Sequence, residues 1–109
     1  MVRVILESPY KGDSVKNLVY GRRCVKDSLN RGESPIAPHL LYTQTGILDD
    51  DKIEERKIGM SAGLEWLPVA EKQVFYTDYG ISSGMIDACM AGHKQGIKQE
   101  FRTIYKEDV

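Results

Sequence analysis

The stretch of the chain that is richest in potential chemistry is TDYGISSGMIDACMAG, residues 77–92, which directly follows the apolar run QVFY. Ser82, Ser83 and Gly84 stand where a helix is predicted to begin. Free backbone N–H groups and the positive end of the helix dipole make such a place suited to an anion, and Gly84 lets a ligand approach the backbone closely. The same three residues also fit an ordinary N-cap with a turn glycine.

Asp87 comes three residues after Gly84, and we expect it in the first turn of this helix. A carboxylate in a first turn is stabilised by the helix dipole, and many such acids have no other role. A carboxylate aimed at the anomeric carbon of a sugar can also act as a nucleophile, as in glycoside chemistry. The sequence therefore offers Asp87 either as a helix-stabilising acid or as a catalytic residue.

Two other polar segments follow predicted strands, ESPYKGD at 7–13 and PHLLYTQ at 38–44. Tyr10 can hydrogen-bond a catalytic carboxylate or simply pack over the end of the sheet. His39 can bind or donate to a substrate, although a lone histidine is more often structural, and Tyr42 can stack on a base. The residues expected at one rim of the fold are Ser8, Tyr10, Lys11, His39, Tyr42, Gln44, Asp78, Ser82, Ser83 and Asp87.

The order of elements explains why these segments should meet. Strands are predicted in VRVILES, near Ile36, in KQVFYT and in IKQEFRTIY, the last at an edge, and helices are predicted between them. This alternation favours a three-layer α/β/α fold, flavodoxin-like or Rossmann-like, with a parallel sheet of four or five strands. Right-handed crossovers place the carboxyl ends of all strands on one rim, where open α/β sheets bind ligands.

Apolar spacing places the helices. The first helix carries its apolar residues at near-helical intervals, with Asp13 or Ser14 as N-cap and Gly32 as C-cap. These apolar residues are Val15, Leu18, Val19, Cys24, Val25 and Leu29. In a later helix, KIEERKIGMSAGLEWL, the possible apolar contacts are Ile53, Ile58, Leu64 and Leu67, and Trp66 is interpreted as a core residue.

Composition narrows the classes of function. The 109 residues predict one domain, 1–109, and 15 basic against 16 acidic side chains leave no broad basic field for nucleic acid. The amino terminus is too short and too soon interrupted for a signal peptide, and no apolar run approaches membrane-spanning length. Cys24 and Cys89 lack metal-ligand spacing and fit reduced thiols in the cytoplasm. The acidic run 49–51 is interpreted as solvated, so neither a metal nor a cofactor is expected.

Three motifs together resemble the nucleoside 2-deoxyribosyltransferase-like superfamily: the strand ending in SPY, the mid-chain EER…G…LEWL…A and the late SSGMIDACMAG. The similarity is greatest to small uncharacterised members from prophages and bacteria, and it spans nearly the whole chain. It implies a flavodoxin-like domain that acts on N-glycosidic bonds of nucleosides or nucleotides, as a hydrolase or a transferase. It also implies a homo-oligomer, because the active sites of these relatives lie at subunit interfaces.

The resemblance assigns roles to individual residues. The relatives use a Glu at the start of the late helix as the nucleophile, and that position is Asp87 here. Tyr10 matches the tyrosine that orients the nucleophile, and Ser8, Ser82 and Ser83 match the groups that hold a 5′-phosphate in nucleotide-hydrolysing relatives. His39, Tyr42, Asp78 and Gly84 complete the expected binding residues.

Two departures from the family pattern bear on catalysis. Asp87 is one methylene shorter than Glu, and a shift of one residue in the helix would put Ala88 in its place. The relatives also carry an Asp before the LEWL-like segment that helps to handle the leaving base, whereas this chain has Ala62 and Gly63 there, with Glu55 as the nearby acid. The sequence therefore leaves open an N-glycosidase or deoxyribosyltransferase, a nucleotide-binding module without chemistry, and an interaction protein with no small ligand.

Overall fold

A computed structural model describes residues 1–105, in which four strands alternate with helices. The strands are β1 (Val2–Glu7), β2 (Glu33–Ile36), β3 (Lys72–Tyr76) and β4 (Lys98–Arg102). The helices are α1 (Ser14–Asn30), α2 (Pro38–Leu41), α3 (Ile53–Leu64) and α4 (Ser83–Lys94), and a 3₁₀ turn spans Leu67–Val69. The predicted β-α-β-α-β-α-β order is confirmed; α2 and the 3₁₀ turn were not predicted. The last four residues of the predicted domain, 106–109, lie outside the described residues.

The four strands form one sheet in the order β2-β1-β3-β4, and every pairing between neighbours is parallel. The predicted fold class is therefore confirmed, and β4 lies at an edge as expected. Along the chain, β2 is added on one side of β1, whereas β3 and then β4 are added on the other side. The switch point of the sheet consequently lies between the carboxyl ends of β1 and β3. Within residues 1–105, no helix is both long and apolar enough to cross a membrane.

The sheet is covered by a helix on each face, which confirms the three-layer arrangement. On one face, Tyr20 and Cys24 of α1 pack with alternate residues of the two central strands. Those strand residues are Val4, Leu6, Val74 and Tyr76. On the other face, Phe75 of β3 packs with Met85 and Ala88 of α4. Because side chains alternate along a strand, Ile5 and Glu7 share the face that α4 covers.

The ends of α1 are as predicted, but its buried face is not. The side chain of Asp13 accepts a hydrogen bond from the backbone N–H of Lys16, and Gly32 adopts a φ of 82° just beyond the helix. The buried residues of α1 are Asn17, Tyr20, Gly21, Cys24 and Ser28. The predicted contacts Val15, Val19 and Leu29 are exposed instead. The prediction is confirmed for Cys24 and wrong for the three exposed residues, because the helix buries a stripe of mixed polarity whose polar groups find hydrogen-bond partners in β2 and in the loops after β1 and β3.

The mid-chain segment also differs from expectation in its packing. Leu67 is buried, whereas Ile53 and Ile58 of α3 are exposed. Trp66, interpreted as core, is 44% exposed, and its indole N–H donates to the hydroxyl of Tyr42 over 3.1 Å. The reason is that α3 packs on the short α2 more than on the sheet. Only part of this segment therefore contributes to the core.

A buried charge network joins three strands on the α1 face. Arg102 of β4 donates to Glu33 of β2 over 2.7 Å, and Lys72 of β3 lies 2.9 Å from the same carboxylate. Glu100 accepts from both cations. The hydrogen bond from Arg102 is the main reason that the pKa of Glu33 falls to about 2. Removing one member would leave a buried charge unpaired, which is the costly way to break such a network.

On the α4 face, a glycine makes room for a buried amide. The side chain of Gln73 donates to the carbonyl of Ala88 over 3.0 Å and accepts from Gln99 over 2.9 Å. A Cβ on Gly92 of α4 would lie 1.7 Å from the Gln73 side-chain oxygen. The close approach of α4 to β3 therefore depends on the absence of a side chain at position 92.

We predict that Gly92→Ala destabilises the protein by about 1–3 kcal/mol, because overpacking outweighs the better helix propensity of alanine. Urea denaturation measures the free energy of unfolding. Gly84→Ala is the matched control in the same helix, since its added Cβ would meet Arg56 only at an ordinary 3.8 Å. A Gly92→Ala protein as stable as Gly84→Ala would contradict this packing argument.

Candidate active site

A cavity of about 130 Å³ opens at the switch point of the sheet. Its walls come from the loop after β1, from α2 and the segment that follows it, from α3 and from the start of α4. The polar lining residues are Glu7, Ser8, Tyr10, Lys11, His39, Tyr42, Thr43, Asp50, Glu55, Arg56, Ser82, Ser83 and Asp87. The remaining lining is apolar or glycine and includes Pro38, Leu48, Met60, Leu64, Met85 and Ala88.

Most of the predicted site residues meet in this cavity. They are Ser8, Tyr10, Lys11, His39, Tyr42, Ser82, Ser83, Gly84 and Asp87. The parallel register explains the meeting, because Glu7 at the end of β1 pairs with Phe75 near the end of β3. The loops that leave these two strands therefore start side by side.

Asp78 is a predicted binding residue that the structure places outside the cavity lining. Its carboxylate accepts from the hydroxyl of Tyr20 over 2.6 Å and from the backbone N–H groups of Ile104 and Tyr105. Burial acts to raise the pKa of Asp78, but these hydrogen bonds outweigh it and leave the pKa below its ordinary value. Asp78 thus ties the segment after β4 to α1. Gln44 also lies elsewhere, in a shallower depression along loop 43–52.

The start of α4 combines a cap with an exposed loop end. Ser82 is the N-cap, and its hydroxyl accepts from the backbone N–H of Met85 over 3.3 Å. Ser83 is exposed and is the first residue of the helix. Asp87 consequently lies in the second turn and not, as expected, in the first. Its exposed carboxylate faces the cavity with less stabilisation from the helix dipole, which falls off beyond the first turn.

Tyr10 and Asp87 line the same cavity, but their side chains do not hydrogen-bond one another within the described residues. The backbone carbonyl of Tyr10 accepts from the buried side chain of Asn17 over 3.1 Å, which anchors the loop after β1 to α1. The phenol itself is left available at the cavity wall. Orientation of Asp87 by Tyr10 therefore remains a prediction.

His39 is held in the wall of the cavity by Ser8. The Ser8 hydroxyl and His39 Nε2 are 2.7 Å apart, and the other ring nitrogen, Nδ1, is buried without a partner among residues 1–105. Burial lowers the pKa of His39 to about 4, so the ring is neutral at physiological pH. Gly21 of α1 lies behind this pair, where an added Cβ would come within 3.3 Å of the Ser8 hydroxyl oxygen.

Glu7 is a lining residue that the sequence analysis did not select. It ends an otherwise apolar strand, and within the described residues its carboxyl has neither a hydrogen bond nor an ion pair. Burial raises the pKa of Glu7 to about 8. Burial has this effect because it disfavours the charged form, and the cavity that Glu7 lines also has apolar side chains such as Met60 and Met85. An acid at the last position of a strand that points to the rim was the signal available in the sequence.

Arg56 of α3 is a second lining residue that was not selected. Its guanidinium lies beside the start of α4, with Nη2 at 3.8 Å from where a Cβ of Gly84 would be. Within residues 1–105 it forms no ion pair. Lys11, from the loop after β1, adds another positive charge to the cavity. No group of three or more His, Cys, Asp or Glu side chains in the described part of the chain is arranged to hold a metal ion.

Comparison with known proteins places the chain in a family. Residues 2–102 match DUF7768, described as a domain of unknown function. The chain belongs to the DUF7768 family. A search of curated proteins gave no significant match.

The fold of this DUF7768 chain is also that of a solved enzyme structure. The 2-deoxyribosyltransferase from the psychrotolerant bacterium Bacillus psychrosaccharolyticus matches with a TM-score of 0.64 at 16% sequence identity. The match covers 99% of this chain and 77% of the other. This similarity supports the resemblance inferred from the motifs at the level of the fold.

The environment of Glu7 predicts an unusual dependence of stability on pH. A folded-state pKa near 8 means that wild-type stability falls as pH rises from the ordinary glutamate value of 4.5 towards 8. The Glu7→Gln variant has no ionisable group at this position, so it should not lose stability in this way as pH rises. We expect the variant to gain on the order of 1–2 kcal/mol over wild type between pH 5 and pH 9, less than the full shift because the residue is partly solvated.

Urea denaturation of both proteins at pH 5, 7 and 9 measures this gain. Glu54→Gln is the control, because Glu54 is exposed on α3 outside the cavity. A difference between wild type and Glu7→Gln that stays constant with pH would show that Glu7 is not desolvated.

Proposed function

We propose that this DUF7768 protein is an enzyme that cleaves the N-glycosidic bond of a nucleoside or nucleotide, as an N-glycosidase or a deoxyribosyltransferase. The observation that carries the proposal is the single cavity at the switch point, to which Asp87, Tyr10, the α4 start and His39 all contribute. A fold shared with a 2-deoxyribosyltransferase adds support.

The carboxylate of Asp87 is the nucleophile in this proposal. One of its oxygens attacks the anomeric carbon of the sugar, the carbon–nitrogen bond breaks, and the bonding electrons leave with the base. The resulting glycosyl ester is then resolved by water or by a second base, which restores the carboxylate. Tyr10 donates a hydrogen bond that holds the carboxylate in line when the substrate is bound.

The positive side of the cavity suits a 5′-phosphate. The α4 start offers the Ser83 hydroxyl and free backbone N–H groups, and Arg56 lies over Gly84 without an acidic partner among residues 1–105. Helix N-termini and arginine side chains both favour phosphate. Lys11 adds a second positive side chain to the lining of the cavity. A nucleoside monophosphate is therefore the preferred substrate class.

The opposite side of the cavity suits the base. His39 contributes a neutral ring to the cavity wall, and Tyr42 offers an aromatic face that the hydrogen bond from Trp66 holds in place. Stacking and a single polar contact are typical of base recognition. The two reduced thiols fit a cytoplasmic setting for such an enzyme.

A nucleotide-binding module without chemistry is the second candidate. Two observations favour it: the side chains of Tyr10 and Asp87 are not hydrogen-bonded to one another in the described residues, and Asp87 is shorter than the glutamate of the relatives. Such a module would keep the phosphate and base contacts. It would bind a nucleotide and release no base.

The decisive experiment follows free base by chromatography after incubation with ribo- and deoxyribonucleosides and their 5′-monophosphates. We expect base release by the wild type and a loss of roughly 10³-fold or more in Asp87→Asn, because the amide cannot act as a nucleophile. The free energy of unfolding should change by less than about 0.5 kcal/mol, since position 87 is exposed.

Glu54→Gln is the control for loss of an exposed helix acid, and its release rate should equal that of wild type. Base release that persists in Asp87→Asn would exclude Asp87 as the nucleophile. Absence of release together with a thermal shift on adding a nucleotide would favour the binding module.

We also propose that the protein is a homo-oligomer that uses the exposed side of α4. Ile86 and Met90 lie one turn apart beside Asp87 and are 49% and 66% exposed. Neighbouring exposed apolar side chains next to a site are typical of interaction surfaces. A second copy of this chain would cover them and narrow the mouth of the cavity.

Light scattering after size exclusion should therefore show more than one copy of the wild-type chain and a monomer for the Ile86→Lys/Met90→Lys double variant. Val15→Lys is the control, because Val15 is 74% exposed but lies on α1. A monomeric wild type would contradict the proposed assembly.

A further inference from the structure

The carboxyl of Glu7 occupies a distinct place among the acids of the cavity. Glu7 is the last residue of β1 and pairs with Phe75, which packs against Met85 at the start of α4. Partners in register on parallel strands share a face of the sheet. The side chain therefore projects from the floor of the cavity at the switch point, and the exposed Asp87 approaches from the wall that α4 provides.

Among the other acids of the cavity, Asp87 is exposed and Glu55 has polar partners. Glu55 accepts from the backbone N–H of Asp49 over 3.2 Å and lies 3.7 Å from Lys52. Glu7 has no such partner in the described residues, and its raised pKa keeps it protonated at neutral pH. The titratable and charged groups that share the cavity with it are Tyr10, Lys11, His39, Tyr42, Asp50, Glu55, Arg56 and Asp87.

We propose that Glu7 is the general acid that donates a proton to the departing base, an inference that rests on the proposed N-glycosidic cleavage. It would supply the function of the acid that position 62 or 63 of α3 lacks, but from the end of β1. One carboxyl held protonated in an apolar wall and a second solvated carboxylate are the pair that glycoside cleavage requires.

The proton and electron balance of the step is complete. As Asp87 bonds to the anomeric carbon, the carbon–nitrogen bond breaks and its electron pair moves onto the base. Glu7 transfers its proton to a ring nitrogen of the base, which leaves neutral, and Glu7 becomes a carboxylate. In hydrolysis this carboxylate then takes a proton from the attacking water, and Asp87 departs from the sugar as a carboxylate.

Neither His39 nor Tyr10 fits the role of donor as well. The neutral ring of His39 shares one nitrogen with Ser8, and its low pKa leaves no imidazolium to donate at neutral pH. The phenol of Tyr10 is a weak acid that the proposed function uses to orient Asp87. Glu7 is thus the protonated acid that both faces the cavity and has no competing partner in the described residues.

The test compares two leaving groups in the wild type and in Glu7→Gln. An ordinary purine nucleotide needs a proton to leave, whereas 7-methylguanosine 5′-monophosphate already carries a positive base and does not. We expect Glu7→Gln to slow release from the ordinary purine by roughly 100-fold or more and to slow the methylated substrate less than roughly tenfold. A structural defect would slow both substrates equally.

The pH profile is the second readout. Wild-type cleavage of the ordinary purine should fall as pH rises through about 8, where Glu7 loses its proton, and Glu7→Gln should lack that fall. Glu65→Gln, which alters an exposed acid at the end of α3, should match wild type on both substrates. Thermal denaturation of each variant confirms that it is folded.

The outcomes separate this role from the function on which it rests. A wild type that releases no base from any substrate overturns the proposed function and the role of Glu7 together. A wild type that releases base while Glu7→Gln behaves like Glu65→Gln overturns only the role of Glu7. The same holds if Glu7→Gln slows both leaving groups equally.

Discussion

The pairing of β1 with β3 at the centre of the sheet is the constraint on which the rest of the structure depends. Because these strands are parallel and adjacent, the chain must leave both at the same edge, although about 70 residues separate them in sequence. The crossover between them supplies α2 and α3, and the exit of β3 leads directly into α4. A cavity with polar walls follows from this topology, since four segments converge where the strand order reverses.

The two faces of the sheet divide structural and chemical roles. On the α1 face, Glu33, Lys72, Glu100 and Arg102 satisfy one another across three strands, and this network holds the outer strands in register. The α4 face has a small apolar cluster and a buried amide network, and near the rim its packing gives way to the cavity. The α1 face is closely packed, and the α4 face is open near the rim. Such an arrangement can position catalytic groups without filling the space that a substrate needs.

Two acids of similar chemistry meet very different surroundings in the cavity. Asp87 is exposed on α4, so water solvates its charge, whereas Glu7 lies at the sheet end among apolar side chains with no cation paired to it in the described residues. Burial at the sheet end raises the pKa of the Glu7 carboxyl. His39, neutral because it is buried, adds a polar group without adding charge. The cavity thereby brings a buried carboxyl, an exposed carboxylate and neutral hydrogen-bonding groups around one small volume.

The order of elements, the ends of α1 and the meeting of most predicted site residues at one rim could be read from the sequence, because alternating patterns, the Asp13 cap and the glycine at 32 act locally along the chain. The sequence did not predict which face of α1 is buried. It also did not predict that Asp78 joins the segment after β4 to α1, or that Trp66 is exposed. Each depends on partners distant in sequence, such as Tyr20 for Asp78 and Tyr42 for Trp66. The same holds for Glu7: its place at the end of a strand is a local property of the sequence, but its pKa is raised by burial, which only tertiary packing produces.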